Sequence, residues 1–342
     1  MRMENIEKLC QSYRLGKLKR VPEMVTGGLM HKMYHVRTDK GEYAVKLLNP
    51  DIMKRPEALQ NMINSEIVSN ALMDVIPLVA AKCFDGKCII EQDGSFYAIF
   101  DWIEGKSVFV PDISENHCAQ VGRILGRIHA ANIKVDSIEK SRDIRGVYDW
   151  KLLLEKVEQC NAECYSVLQE NLADIMRWDN QVVSSLPEVF RNQVISHRDL
   201  DPKNVMWKND KPCVIDWEAA GYVNPFQELI EVLNYWISDE TGKYNKAKFD
   251  AMMQAYTESM DIRNVNWDAV MDCSFDGMLG WLEYSIKRAL GMDGTDAEDR
   301  QEGMQQAKGA VLELKKYENQ MKLLKEWIMM YCTLGLKKEK IV

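Results

Sequence analysis

Long apolar runs are missing from this sequence of 342 residues. No stretch approaches the ~20 consecutive apolar residues that a membrane-spanning helix needs. The charged start, from Met1 to Lys8, also lacks the apolar segment of a secretory signal. We therefore expect a cytoplasmic protein that does not enter a membrane.

The sequence also lacks the paired C-x-x-C spacing of a zinc site. Its nine cysteines are scattered, and several of them, such as Cys213, stand in apolar runs. Buried free thiols in a reducing cytosol are the simplest interpretation of this pattern. The closely spaced pairs Cys83/Cys88 and Cys160/Cys164 are not expected to bind a metal.

An excess of basic residues is missing as well. The 44 Lys and Arg residues oppose 52 Asp and Glu residues, which gives a formal net charge of −8. This balance argues against nucleic-acid binding as the main role and is compatible with a cationic substrate. Hydrophobic residues make up 46% of the chain, as in ordinary globular proteins. The length allows two domains or one large bilobal fold.

The spacing of apolar residues and turn residues predicts an α+β protein. Three strands between Val21 and Leu48, with turns at residues 26–28 and 38–41, begin a predicted five-stranded antiparallel sheet. Further short strands are predicted at residues 79–84, 87–91 and 95–102, and a hairpin is predicted to turn at residues 209–211. Helices are predicted at residues 4–15, 55–73, 112–132, 148–164, 165–186 (ending before Pro187), 226–236, 246–260, 267–290 and 298–331.

A polar loop between two apolar runs carries the candidate chemistry. His197, Asp199 and Asn204 have the spacing H-x-D-x-x-x-x-N, and Asp216 follows twelve residues after Asn204. One Asp can accept a proton from a substrate hydroxyl or orient it. The Asn and the second Asp offer the hard oxygen ligands that Mg²⁺ prefers. The pattern therefore favours phosphoryl transfer.

These residues resemble the catalytic loop and the metal-binding Asp of the protein-kinase-like superfamily. The resemblance is strongest to the branch of aminoglycoside phosphotransferases and choline kinases, and it covers roughly residues 20–290. It implies a bilobal protein-kinase-like fold. Residues 1–103 would form the N-terminal nucleotide-binding lobe with its sheet, helix and hinge. Residues 104–342 would form a mostly helical C-terminal lobe that holds the catalytic loop and the acceptor pocket.

The resemblance also implies a nucleotide site for ATP or GTP. Ala44-Val45-Lys46 is similar to the strand motif whose Lys contacts the nucleotide phosphates. Glu66 is the candidate carboxylate that pairs with Lys46, with Glu57 as the competitor. Gly27 and Gly28 would belong to the nucleotide loop, which lacks the G-x-G-x-x-G spacing of protein kinases.

The segment from Ala98 to Gly105 resembles the hinge of this branch. There the backbone around Asp101 and Ile103 would hydrogen-bond the edge of the purine. A strand that simply ends in a glycine turn is the alternative.

In the resembling family, Asp199 would orient or deprotonate the acceptor hydroxyl, and His197 would support the loop by hydrogen bonding. Asn204 and Asp216 would bind Mg²⁺. Three of the other histidines, His31, His35 and His129, are expected to be packed or capping residues.

Four residues are candidates for contact with the acceptor: Glu218, Asp276, Trp281 and Glu283. For Trp281, packing in the core is an equal alternative.

The sequence departs in one place from the protein-kinase pattern and in another from the pattern of the small phosphotransferases. Asp216 is followed by Trp217 and Glu218 instead of Phe-Gly, and no Ala-Pro-Glu signature comes later, so the peptide-binding activation segment is absent. Arg198 stands where the small phosphotransferases usually have Gly. Contact with Glu218, contact with another acidic group, and a plain surface position all stay open for Arg198.

The sequence therefore predicts a small-molecule kinase. It would transfer the γ-phosphate of ATP or GTP to a hydroxyl of a small acceptor. An aminoglycoside-like antibiotic or an amino alcohol would suit the acidic chain, and choline, a sugar or a macrolide also stay open. The alternative is a kinase-like binding or structural protein of the spore-coat-associated type, without turnover. A peptide kinase ranks third.

Overall fold

The computed structural model describes residues 3–25, 30–140, 144–160, 162–292 and 296–339. The chain divides into two compact units. The first unit comprises Met1–Glu139, Val194–Tyr222 and Tyr235–Met260, and the second comprises Lys140–Gln193, Val223–Asn234 and Asp261–Val342. The lobe boundary between residues 103 and 104 stays a prediction.

The first unit opens with a five-stranded antiparallel sheet in the order β1-β2-β3-β5-β4. This confirms the predicted sheet with its helix. Alternate apolar side chains of β2 and β3 are buried against α1, as the two-residue period of a strand requires. The elements are α1 (Met3–Ser12), β1 (Glu23–Val25), β2 (Lys32–Arg37), β3 (Glu42–Leu47), α2 (Pro50–Met53), α3 (Ala58–Leu72), β4 (Ile89–Gln92) and β5 (Ser95–Asp101).

The turn between β2 and β3 sets the register that matters for the site. The Thr38 amide donates to the Gly41 carbonyl at 2.9 Å, and the Thr38 hydroxyl donates to the Leu15 carbonyl at 2.6 Å. The resulting ladder places Lys46 opposite Met33. Because side chains alternate along a strand, Lys46, Met33 and the residue two before it, His31, share one face.

Residues 79–84 do not form the predicted strand. Their backbone amides donate to three different backbone carbonyls, from Val79 N to Val214 O at 3.0 Å, from Lys82 N to Ile99 O at 2.7 Å and from Phe84 N to Lys87 O at 2.9 Å. A segment that divides its bonds in this way builds no continuous ladder with any one neighbour.

Cys83 and Cys88 form a disulfide, so the prediction of free thiols is wrong for this pair. Asp85 and Gly86 both have positive φ, at 48° and 78°, as in the tight hairpin turns that reverse the chain in two residues. Phe84 and Lys87 pair across this turn, which brings the two flanking cysteines face to face.

The rest of the first unit contains two helices that approach closely and the predicted hairpin. A Cβ atom at Gly122 would lie 2.3 Å from Met252 O, and one at Gly126 would lie 2.7 Å from Tyr256 O. Only glycine therefore permits this approach of α4 to α8. His129 packs there as predicted, with its Nδ1 2.9 Å from the Tyr256 hydroxyl. The elements are β6 (Lys106–Ser107), α4 (Glu115–Ala131), β7 (Val194–Ser196), β8 (Val205–Lys208), β9 (Lys211–Val214), β10 (Gly221–Val223) and α8 (Lys246–Tyr256).

The second unit is helical. It contains a fully buried carboxylate, Asp179, which accepts hydrogen bonds from Arg145 Nη1 at 2.6 Å and from the Trp150 indole at 2.7 Å. The helix that carries Asp179 continues through Pro187 to Val189, past the predicted end. The elements are α5 (Trp150–Gln159), α6 (Tyr165–Val189), most of α7 (Pro225–Trp236), α9 (Trp267–Cys273), α10 (Asp276–Ala289) and α11 (Ala297–Glu339).

Among the residues that the structure describes, no helix has the combination of length and apolar composition needed to cross a membrane.

Candidate active site

His197 anchors the polar loop that follows β7. Its ring is fully buried and spans two backbone groups. Nδ1 accepts from the Asp199 amide at 3.2 Å, and Nε2 lies 3.0 Å from the Ile215 carbonyl. Since an amide can only donate and a carbonyl can only accept, these partners select the neutral ring with its proton on Nε2. His197 therefore ties the start of the loop to the residue that precedes Asp216.

Asn204 connects to Asp199 through both hydrogens of its side-chain amide. Nδ2 donates to the Asp199 carbonyl at 2.8 Å and to Asp199 Oδ2 at 2.9 Å. This assigns the orientation of the amide and leaves Oδ1 as the atom available to a cation. The Ile215 amide donates to the Asn204 carbonyl at 3.0 Å. Asn204 and Asp216 therefore lie on neighbouring segments of the backbone. Lys203 Nζ lies 3.3 Å from Asp199.

Lys46 reaches this loop from β3. Its ammonium donates to Asp216 Oδ1 at 3.0 Å and also to Glu218 Oε1. Burial alone would lower the pKa of Lys46, but the charges of Asp216 and Glu218 raise it above its ordinary value. Lys46 is therefore a fixed cation at the site. Asp216 has a left-handed backbone, with φ of 62°, an uncommon conformation for a residue other than glycine.

Glu218 holds Lys46 on one side and His31 on the other. Its Oε1 accepts from Lys46, and its Oε2 lies 3.2 Å from His31 Nε2. Burial would raise the pKa of the Glu218 carboxyl, but the hydrogen bond from His31 and the charge of Lys46 lower it to about 2. Glu218 is therefore anionic across the physiological range of pH.

The predicted ion pair between Lys46 and Glu66 is absent from the described residues. Glu66 Oε2 accepts instead from the Ala81 amide at 2.8 Å and from the Ser69 hydroxyl at 3.1 Å. Burial raises the pKa of this carboxyl, and the hydrogen bonds and the more distant Lys46 only partly oppose that effect. The pairing was wrong because neutral donors on its own helix and on residue 81 already satisfy Glu66.

The candidate hinge residues lie at the end of β5. Asp101 pairs with Tyr43 in the sheet register, and its carboxylate lies 2.8 Å from Lys82 Nζ. Ile103 lines a cleft of about 360 Å³ with Met206 and Cys213 of the hairpin. Contact of the backbone at Asp101 and Ile103 with a purine stays a prediction. Gly27 and Gly28 lie outside the described residues.

The oxygen atoms of Asn204 and Asp216 fit a magnesium ion that also binds phosphate. Asn204 Oδ1 is the oxygen left over by the amide orientation, and Asp216 keeps one carboxylate oxygen that Lys46 does not take. Within the described ranges no group of three or more His, Cys, Asp or Glu side chains could hold a metal. Mg²⁺ commonly binds through one or two protein ligands together with substrate phosphates.

Arg198 has a left-handed backbone as well, with φ of 64°. Its guanidinium covers Gly221, where an added Cβ would lie 2.9 Å from Nη1. The left-handed conformation explains why a related loop would use glycine at this position.

Three of the predicted acceptor contacts lie in the second unit, and the structure gives each a partner there. The Asp276 carboxylate pairs with Arg145 at 2.7 Å, and Glu283 pairs with Lys287. Trp281 is half exposed, lies 5.5 Å from the Tyr284 ring and lines a groove of about 480 Å³. Both carboxylates thus have a cation without any substrate. Their contact with an acceptor stays a prediction, as does that of Glu218.

Sequence reasoning missed two features of the site. Glu218 was considered for the acceptor and not for Lys46, although its position two residues after Asp216 places it on the same turn. His31 was expected only to pack or cap. No local pattern marks a histidine that approaches a residue so far along the chain.

Comparison with known proteins agrees with this geometry. A family model described as "Phosphotransferase enzyme family" matches residues 23–261. Homoserine kinase of Polaromonas naphthalenivorans (strain CJ2) is 25% identical over 245 residues, which cover 71% of this chain and 73% of that protein.

Solved structures share the fold. Spectinomycin phosphotransferase, crystallised with ADP and spectinomycin, superposes with a TM-score of 0.64 at 14% identity, over 93% of this chain and 99% of that one. Choline kinase from Cryptosporidium parvum Iowa II superposes with a TM-score of 0.57 at 14% identity, over 97% and 98%. The family match does not favour the alternative of a structural protein without turnover. The chain belongs to the phosphotransferase enzyme family and is a small-molecule kinase that phosphorylates an alcohol group.

Proposed function

We propose that this enzyme transfers the γ-phosphate of a nucleoside triphosphate, ATP or GTP, to a hydroxyl of a small amine-bearing acceptor. The observation that carries the proposal is a chain of contacts within the first unit: Lys46 bonds to Asp216, Asn204 bonds to Asp199, and the Ile215 amide joins the two segments by donating to the Asn204 carbonyl. Such a set supplies a cation for the phosphates, two oxygen ligands and a carboxylate for the hydroxyl.

Each residue has one task in this proposal. Lys46 binds the nucleotide phosphates, and Asp199 accepts a hydrogen bond from the acceptor hydroxyl, orients it and takes its proton. His197 and Asn204 hold Asp199 in place from its backbone and its side chain. Asn204 Oδ1 and Asp216 would hold Mg²⁺, which when bound neutralises charge on the phosphates. Catalysis by these residues is mainly positioning and charge stabilisation.

The nature of the acceptor is the less constrained part of the proposal. Homoserine kinase, choline kinase and spectinomycin phosphotransferase are named for acceptors that combine a cationic nitrogen with a hydroxyl group. The net charge of −8 is compatible with such a cation. We therefore propose an amino alcohol or an aminocyclitol as the preferred class of acceptor for this enzyme.

Two substitutions test the chemistry, and a third serves as their control. Asp199→Ala and Asp216→Asn are expected to abolish Mg-dependent ADP formation. Asp210→Asn, in the exposed hairpin turn where φ is 57°, changes a carboxylate of the same region and should leave ADP formation unchanged, since Asn tolerates that backbone. If both site variants keep wild-type turnover, the assignment is wrong.

A thermal-shift screen tests the acceptor class. Mg-ATP or Mg-GTP is combined in turn with amino alcohols, aminocyclitols and uncharged sugars. A ligand at ten times its Kd stabilises the folded state by about 1.4 kcal/mol. Stabilisation by sugars alone would contradict the amine requirement and leave phosphate transfer intact.

A further inference from the structure

His31 is a buried histidine with a polar partner on each side of its ring. Its side chain is only 3% exposed. It stands directly before β2, on the sheet face that it shares with Lys46. Nδ1 accepts from the Asn49 amide at 2.9 Å, and Nε2 lies 3.2 Å from Glu218 Oε2. A buried ring with an amide donor at one nitrogen and a carboxylate oxygen 3.2 Å from the other has little freedom to turn.

The partners also determine which nitrogen carries the proton. The Asn49 backbone amide can only donate, so Nδ1 of the neutral ring must accept, and the proton lies on Nε2. The oxygen of Glu218 that Lys46 does not use lies 3.2 Å from this nitrogen. Glu218 thus has the ammonium of Lys46 at one oxygen and the imidazole of His31 beside the other.

A neutral donor suits this position better than a cation. A second positive charge beside Glu218 would compete with Lys46 for the same carboxylate. It would weaken the attraction between the Glu218 carboxylate and the Lys46 ammonium. An imidazole N–H orients the carboxylate and leaves its full negative charge for Lys46. Asn49 itself caps α2 through its side chain, which accepts from the Asp51 amide at 3.0 Å. The Asn49 amide that donates to His31 is therefore held at the start of a helix.

We propose that His31 is a positioning residue for phosphate transfer. Its Nε2–H fixes the Glu218 carboxylate, and Glu218 fixes the Lys46 ammonium where the nucleotide phosphates bind. The proposal rests on the proposed function, because it assigns His31 to the same site. His31 acts only through Glu218 and does not itself touch the reacting groups.

Two substitutions separate the two bonds of the ring. His31→Gln places an amide nitrogen near the position of Nε2 and keeps a donor for Glu218. His31→Asn places an oxygen near the position of Nδ1 and keeps the acceptor for Asn49, but it is too short to reach Glu218. The probe is Mg-ATP, and the readout is ADP release with water as the acceptor, which needs no identified substrate.

We expect kcat for His31→Asn to fall tenfold or more, because small displacements of a positioning group are costly. The KM for ATP should change less than threefold, and His31→Gln should stay within about threefold of wild type in both constants. In a Glu218→Gln background, His31→Asn should add less than a twofold further loss, since residues that act as one unit are not additive. Equal loss in both His31 variants, no loss in His31→Asn, or a full further loss in the Glu218→Gln background would each overturn the proposal.

A spectroscopic measurement tests the arrangement without any turnover. Long-range ¹H–¹⁵N spectra of the wild-type protein should show His31 as the neutral ring protonated at Nε2. A proton on Nδ1 would overturn the proposal even if the enzyme is active. Wild-type protein that shows the Nε2 proton and yet neither binds nor hydrolyses Mg-ATP would instead contradict the proposed function.

Discussion

Glu66 is buried and Glu218 is partly buried, with 17% of its side chain exposed. Both belong to the first unit, and their environments shift the two pKa values in opposite directions. Burial raises the pKa of Glu66, whose hydrogen-bond partners are a backbone amide and a hydroxyl. Burial also acts on Glu218, but His31 and Lys46 lower its pKa to about 2. Burial acts upward on both pKa values, and only at Glu218 do an adjacent ammonium and imidazole reverse that effect.

The comparison also reassigns the partner of Lys46. The helix carboxylate, Glu66, fixes the segment at Ala81 through a 2.8 Å hydrogen bond. The carboxylate after the predicted metal-binding Asp, Glu218, takes the ammonium. In this structure the carboxylate partner of Lys46 therefore comes from the turn after Asp216 and not from α3.

The largest expected effect is on turnover. Glu218→Gln should reduce Mg-ATP turnover about 100-fold. Lys46 would lose one of its two anionic partners, and its ammonium would move by up to about 1 Å. Glu66→Gln, the matched change in the other glutamate, should reduce turnover less than tenfold. Steady-state ADP release measured for both variants checks this. A larger loss in Glu66→Gln than in Glu218→Gln would restore Glu66 as the functional partner of Lys46.

Local patterns were sufficient to predict much of the fold. The sheet hairpins and the catalytic loop depend on turn residues and on alternation within a few positions, as at Thr38–Gly41 and Asn209–Asp210. Asn209 and Asp210 adopt positive φ of 50° and 57°, a conformation that these residue types tolerate well. The order of His197, Asp199 and Asn204 in one loop, with Asp216 directly after the following hairpin, was visible for the same reason.

Contacts across long stretches of chain were not predictable in this way. Lys46 and Glu218 are 172 residues apart, and both glutamates are plausible partners until the packing of α3 is known. The extended segment at residues 79–84 has strand-like composition, but its backbone divides its bonds among Val214, Ile99 and Lys87. The Cys83–Cys88 disulfide likewise depends on the turn at Asp85–Gly86, which overrides an expectation based on compartment alone.

A smaller effect is expected on stability, and its dependence on pH separates the two glutamates. Glu66 has a raised pKa in the folded state, so its contribution to stability is full below its unfolded value of about 4.5 and is lost as pH rises through the folded value. Glu66→Gln cannot ionise, so its free energy of unfolding should increase relative to wild type from pH 5 to pH 8, by on the order of 1 kcal/mol.

Glu218 provides the contrast in the same measurement. Its lowered pKa means that its stabilisation is present above about pH 4.5 and is lost only as pH falls toward about 2. Glu218→Gln should therefore be less stable than wild type by about 2 kcal/mol, with a constant difference between pH 5 and pH 8. Urea unfolding at several pH values checks both variants. A sloping difference for Glu218→Gln, or a flat one for Glu66→Gln, would contradict the assignment of the two environments.

The smallest expected effect concerns Arg198, the other cation considered for Glu218. If Lys46 and His31 are the groups that hold Glu218, Arg198→Gly should leave Mg-ATP turnover within about threefold of wild type. Glycine relieves a left-handed backbone that costs other residues about 1–2 kcal/mol, but it loses the packing over Gly221 and gains freedom in the unfolded chain. The two sides nearly cancel, so the free energy of unfolding should change by less than about 1 kcal/mol, as measured in urea. A tenfold loss of turnover with unchanged stability would instead make Arg198 part of the site, and the contrast between Glu66 and Glu218 would then involve a third cation.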